Sequence, residues 1–225
     1  MVNHMRFAIS AAILIAFCST GSWADDTADI RKKAESGDAA AQFELAQHHV
    51  NEARDARSER RAQRDWKQAV EWYSRSAEQG FARAQFELGG LYILGEGIEQ
   101  DEGQGVEWLL KAAEQGLADA QFEIGNLYLA GANLEQDAEL GLDMLTKAAN
   151  QHHVPAQKQL GTMYFQGAGV AKDLVQAHLW FSAAALNEDR AAQGYLSTLE
   201  SIMDEAQIDE ARALAAQWQA DYMGE

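Results

Sequence analysis

The chain has 225 residues, 47% of them hydrophobic, and carries a formal charge of −17 with an isoelectric point near 4.7. An acidic surface excludes general affinity for nucleic acid, whose phosphates need a basic face, and suits solubility and basic partners. A single proline, Pro155, in a background rich in Ala, Leu, Glu and Gln favours helices over sheets or disorder.

Residues 1–24 read as a secretory signal peptide. Arg6 supplies the positive n-region, Phe7 to Cys18 the short apolar run, and Ser22-Trp23-Ala24 a small-x-small cleavage site, with the cut expected after Ala24. The destination is the periplasm or the medium. The apolar run is too short for an ordinary membrane span, so no stable span is expected after cleavage. Acylation of Cys18 as a lipoprotein is the rival reading, but Phe17 stands where a lipobox needs a small residue. Cleavage removes Cys18, the only cysteine, so disulfide and thiolate chemistry are excluded from the mature chain and burial alone must hold it together.

Residues 25–37 form a capping helix, with Ile30 and Ala34 facing the next element. A repeat follows, marked by the pairs Ala41-Gln42, Ala84-Gln85, Ala120-Gln121, Ala156-Gln157 and Ala192-Gln193. The last four are 36 residues apart and the first interval is 43, which divides the chain into a long repeat at 38–80, regular repeats at 81–116, 117–152 and 153–188, and a partial repeat with a terminal helix at 189–225. Leu88, Ile124 and Leu160 keep the beat, as do Gly89, Gly125 and Gly161, then Tyr92, Tyr128 and Tyr164, and Gly95, Gly131 and Gly167. So do Asp65, Asp101, Asp137 and Asp173, and Trp72, Trp108, Met144 and Trp180.

Each copy reads as two helices. Ala84, Leu88 and Tyr92 are four apart and share one face of the first. Gly89 on that face costs about 1 kcal/mol against alanine, so its recurrence implies close approach by a neighbouring helix. Gly95 and Gly97 end the first helix, Asp101 caps the second, and Trp108 and Ala112 line its inner face. In the last unit Ile208, Ala211, Leu214, Ala215 and Trp218 make the apolar stripe of a closing helix, as a terminal cap requires.

The pattern A-x-x-x-L-G-x-x-Y-x-x-G-x-G-[VI]-x-x-D…W-x-x-K-A-A-x-x-G closely resembles the Sel1-like repeat, a relative of the tetratricopeptide repeat, over residues 38–219. The resemblance implies an all-α fold, a right-handed α-solenoid of stacked antiparallel helix pairs. Departures are Asn133 at a glycine position, Met144 at the tryptophan and His49 at the tyrosine of the long copy. By the same resemblance the first helix of each pair lines an inner groove. The positions facing it are Phe86, Gly90 and Ile93, then Phe122, Asn126 and Leu129, then Lys158, Thr162 and Phe165. Two readings stand for Ile93, Leu129 and Phe165: a row of exposed apolar side chains that binds a partner, or packing between repeats.

The long copy carries its additional residues between His49 and Asp65, without Gly or Pro, and lengthened helices are expected rather than a loop. Arg57, Arg60, Arg61 and Arg64 follow i, i+3, i+4, i+7 spacing, one helical face. Such a ridge is either a solvated face paired with nearby acids or a docking edge for an anionic partner.

No residue set announces catalysis. Nucleophile-elbow, zincin and phosphate-loop patterns are absent from the sequence. The adjacent pairs His48-His49 and His152-His153 point about 100° apart on a helix and do not chelate one ion. The acidic loop around Glu96, Glu99, Asp101 and Glu102 lacks the ligand order of a calcium loop. No catalytic residue, metal or cofactor is expected. The function expected is a non-enzymatic, exported scaffold that holds a protein partner, a basic protein or a secreted effector. The alternative rests on resemblance: small exported Sel1-like proteins include immunity proteins that neutralise antibacterial effectors such as lipases. Cysteine-rich relatives described as β-lactamase-like pin each repeat with disulfides, which this chain lacks, together with any S-x-x-K arrangement.

Overall fold

A computed structural model describes residues 23–187 and 189–223, and all regular structure among them is helical. Most of the expected signal peptide lies outside the described residues; Trp23 and Ala24 begin the first helix. The chain divides into two compact units, residues 1–108 and 109–225. In the first, α1 (Trp23–Glu35), α2 (Ala39–Arg54), α3 (Glu59–Glu78) and α4 (Ala82–Leu94) pack in sequence, and α5 (Glu102–Glu114) begins. In the second, α6 (Ala118–Ala130), α7 (Ala138–Asn150), α8 (Val154–Gln166) and α9 (Leu174–Ala185) continue the alternation, and α10 (Arg190–Ile202) and α11 (Glu205–Met223) both pack on α9.

The repeat is a repeat of bonds. Each buried glutamine of the Ala-Gln pair donates through Nε2 to a backbone carbonyl eight residues earlier, at the end of the preceding helix. Gln42 reaches Ala34 at 3.1 Å, Gln85 reaches Ala77 at 3.1 Å, Gln121 reaches Ala113 at 3.3 Å and Gln157 reaches Ala149 at 3.0 Å. Each of these carbonyls also accepts a backbone N–H from the turn that follows it, Gly37, Gly80, Gly116 and His152 in order, so the glutamine fills the second lone pair and ties the following helix to the preceding one. Gln193 is exposed and makes no such bond, which marks where the regular array stops.

Inside each regular pair the turn is built the same way. Gly95, Gly131 and Gly167 take left-handed conformations at φ 64 to 73° and donate to Leu91, Leu127 and Met163. Asp101, Asp137 and Asp173 donate their own N–H to the carbonyls of Tyr92, Tyr128 and Tyr164 at 2.9–3.0 Å, and their carboxylates cap the next helix. The two helices then touch at glycine. A Cβ on Gly125 would lie 3.0 Å from the Gly141 carbonyl, and one on Gly161 would enter the Phe181 ring at 2.9 Å. Asn133, standing at a glycine position, adopts φ 58° itself, a conformation asparagine tolerates.

The cores are apolar, with two clusters in each unit among the described residues. Phe43, Tyr73, Leu88 and Leu91 centre the first; Leu145, Leu160, Trp180 and Trp218 the second, with Phe181 and Leu199 beyond them. At the amino end Ala34 and Ile30 pack on Ala41 and Leu45, as the stripe on that helix predicts.

The long copy lengthens both helices: α2 has 16 residues where α4, α6 and α8 have 13, and α3 has 20 where α5 and α7 have 13. The link between them shortens to residues 55–58. Asp65, which the period aligns with three capping aspartates, therefore lies well inside α3, 4% exposed.

Candidate partner-binding faces

The positions expected to face an inner groove lie on the first helix of each pair, and all are half-buried rather than exposed. Of the two readings that stand for Ile93, Leu129 and Phe165, their half-burial supports packing over an exposed row, and glycine makes the room for two of them. Ile93 folds down over Gly105, where a Cβ would meet its Cγ1 at 2.5 Å, and Leu129 folds over Gly141, where a Cβ would meet its Cγ at 2.8 Å. Phe165 packs into the core beside Phe181, with the Lys172 ammonium 5.7 Å from its ring. The Phe122 ring lies 4.8 Å from the His153 ring, and Asn126 accepts a 2.6 Å bond from Gln159. Phe86 is half-buried on α4. What remains accessible is therefore mixed: one edge of each apolar group, with polar side chains beside it. Lys158 pairs with Asp189 at 2.8 Å, which holds the aspartate carboxyl below its ordinary range, and Thr162 bonds back to the Lys158 carbonyl.

The second helices α5 and α7 present charged faces, whereas α9 holds no Asp, Glu, Lys or Arg. Glu139, Asp143 and Lys147 of α7 are exposed, as are Glu107, Lys111 and Glu114 of α5. α6 and α7 thus differ in character, which gives the half-buried face of α6 a composition of its own.

The arginine ridge is not a single helical face. Arg57 precedes α3, since the chain turns at residues 55–58, so the i, i+3, i+4, i+7 spacing breaks at its first member. Arg61 binds Glu52 and lies 3.5 Å from Asp65, and Arg64 donates two bonds to Asp65 at 2.9 and 3.0 Å. Burial pushes the Asp65 carboxyl up, but the bond from Arg64 and the charges of Arg64 and Arg61 overcome it and hold the group below its usual range. Arg57 and Arg60 are exposed, with no ionic partner among the described residues. Two of the four arginines thus neutralise a buried acid, and two form an exposed elbow.

The histidine pairs hold structure. His153 caps α8 through Nδ1 and lies 3.3 Å from Asp119, while His152 takes φ 64° and meets the Tyr222 carbonyl at 2.9 Å. The His48 and His49 rings sit edge-on at 5.7 Å, and burial, then the charges of His48 and Arg31, lower the His49 pKa. Among the described residues no cluster of three or more His, Cys, Asp or Glu side chains is placed to hold a metal ion.

Sequence reasoning missed one polar cluster, because its members come from three helices and are joined only by the packing of α10 and α11 on α9. Ser182 Oγ lies 3.2 Å from His178 Nδ1, His178 Nε2 lies 3.4 Å from Glu200, and Arg212 donates to Glu200 at 3.0 Å. Ser182 and Arg212 line an open pocket of about 210 Å³ with Leu186 and Trp218. The trio has the outline of a nucleophilic relay. Acyl transfer also needs donors aimed at the developing oxyanion, and Ser182 sits inside α9, where backbone N–H groups serve the helix, while Arg212 is engaged by Glu200. The geometry is that of a pin: His178, 4% exposed, satisfies both ring nitrogens and ties α9 to α10, and Arg212 extends the tie to α11.

The Sel1 repeat family matches four consecutive stretches, residues 39–81, 82–117, 118–153 and 154–189. Among solved structures, the chain is similar to a protective antigen of uropathogenic Escherichia coli with an SLR fold, at 33% identity and a TM-score of 0.75, over 91% of this chain and 43% of that one. It is similar to a Sel1 repeat protein from Oxalobacter formigenes at 31% identity and a TM-score of 0.68, over 78% of this chain and 49% of that one. An immunity protein, Pa5087 from Pseudomonas aeruginosa, aligns at 23% identity with a TM-score of 0.39, over 81% of this chain and 83% of that one, too distant to bear on function. A comparison with curated proteins gives no match. The chain spans less than half the length of the first two structures. With four copies of the motif in series and the bonding pattern repeated in each, the chain belongs to the Sel1 repeat family.

Proposed function

We propose that the chain is an exported binding scaffold, and that the half-buried faces of α6 and α8, both in the second unit, hold a partner protein. Sel1 repeat proteins are protein-interaction scaffolds. The observation that carries the reading here is the contrast between helices. α7 exposes charge through Glu139, Asp143 and Lys147, whereas α6 and α8 on either side of it carry a mixed row containing Phe122 and Phe165, set on a frame that the glutamine bonds hold in place. A pre-ordered face of this kind lowers the entropy lost on association. Export rests on Arg6, the apolar run from Phe7 to Cys18 and the site at Ala24; the mass of the protein isolated from its native host should lack residues 1–24, and an intact amino terminus would end that part of the proposal.

The binding face is tested by affinity capture from an envelope extract. A Phe122→Ala, Phe165→Ala double variant should recover the partner at least fivefold less than wild type, and an outer-face Glu139→Ala variant should recover it normally. Equal recovery by all three would remove the face from the account. Capture of a lipase or other antibacterial effector would identify the scaffold as an immunity protein.

A further inference from the structure

We propose that Glu123 on α6 is the seat for an arginine side chain of the partner, a deepening that rests on the scaffold reading. Two polar groups near it are already paired: Asn126, one turn along α6, with Gln159 at 2.6 Å, and Asp119, one turn before it, with His153 at 3.3 Å. The Glu123 carboxyl alone is half-buried with no hydrogen bond or close ion pair among the described residues. Its chain neighbour Phe122 lies 4.8 Å, ring to ring and tilted by 43°, from His153, whose charge acts on Glu123. A carboxylate next to aromatic surface matches a guanidinium, which accepts a bidentate acid and stacks on rings. A chain with a formal charge of −17 also draws cationic segments toward itself.

The cost of leaving this carboxyl unpaired is visible in its ionisation. Burial pushes it up to about 7, Asp119 adds to the push, and His153 opposes it. These two groups, Asp119 on the same helix and His153 at the start of α8, are the charges that act on Glu123. An arriving cation reverses the balance, so binding releases a proton where Glu123 was neutral, and affinity rises with pH.

The test uses the full chain and a blocked heptapeptide with one central arginine and apolar flanks, against the same peptide with citrulline, the neutral isostere. Isothermal titration at pH 7.5 should show the arginine peptide bound at least tenfold more tightly. Glu123→Gln should abolish that preference, and Glu114→Gln, which removes an exposed charge from α5, should retain it. The preference should narrow at pH 6. Equal affinity of wild type for both peptides, or equal loss in the Glu114 and Glu123 variants, overturns the seat. Partner capture that depends on Phe122 and Phe165 but not on Glu123 would overturn it while leaving the scaffold intact.

Discussion

At the residue scale, glutamine does the joining, and one join is unfinished. Gln79 donates to Gln42 and Gln151 donates to Gln121, each at 2.7 Å, so the glutamine that holds a carbonyl is itself held. The corresponding residue after α9 is Asn187, one methylene shorter, and Gln157 Oε1 is buried with no hydrogen-bond partner among the described residues. An unsatisfied buried acceptor costs about 1–3 kcal/mol. Asn187→Gln should therefore stabilise the protein by about 1 kcal/mol in denaturant unfolding, and an unchanged midpoint would show that the acceptor is not costly. The Ala-Gln pair was plain in the sequence as a beat. Its bond was not, because the carbonyl lies eight residues earlier across a turn. Glu123 was equally silent: its peculiarity is burial without a partner, which spacing does not reveal. Its folded pKa of about 7 stands above the unfolded value of 4.5, so the native state binds the extra proton and stability falls as pH rises through that window. Glu123→Gln should match wild type at pH 4 and exceed it by roughly 2 kcal/mol at pH 8; a gap of the same size at both pH values would contradict the shift.

At the element scale, the lengthened α2 and α3 show what the period can and cannot say. The interval of 43 residues and the lack of Gly or Pro pointed to longer helices, and both are longer. The turn at residues 55–58 has no such signal, so the arginines read as one face when Arg57 lies outside the helix. Asp65 kept its place in the sequence but changed its task from capping to charge pairing once the helix extended past it. Asp65 is buried, but the side chains of its partners Arg61 and Arg64 are more than half exposed, so deleting the acid leaves charges that water solvates. Asp65→Ala should lose about 1–2 kcal/mol from its charge-assisted hydrogen bonds, and Arg57→Ala and Arg60→Ala should change stability by less than about 0.5 kcal/mol. Because its folded pKa is depressed below 3.8, the contribution of Asp65 is present above that pH and lost as pH falls through the folded value. Thermal unfolding of these variants separates the elbow from the buried pair. A stable Asp65→Ala protein would deny the pairing any structural weight.

At the scale of the whole molecule, fold class was legible because many positions keep one period together. The ending was legible only as a helix, since nothing in its stripe says which neighbour it covers. Trp218 makes the choice: it packs at 6.1 Å from Trp180 and donates to Asn150 at 2.8 Å, bringing α11 against α9. Trp218→Ala should cost about 3–5 kcal/mol and speed proteolysis at α11, whereas cleavage at the wild-type rate would place the anchor elsewhere. The central claim is that partners bind the first-helix faces, and site-specific photo-crosslinking tests it most directly. Benzoylphenylalanine placed at Phe122 or Phe165 should capture the same partner in living cells, and the probe at Glu139 or Lys147 on the outer face of α7 should not. Capture from the outer positions alone would contradict the account.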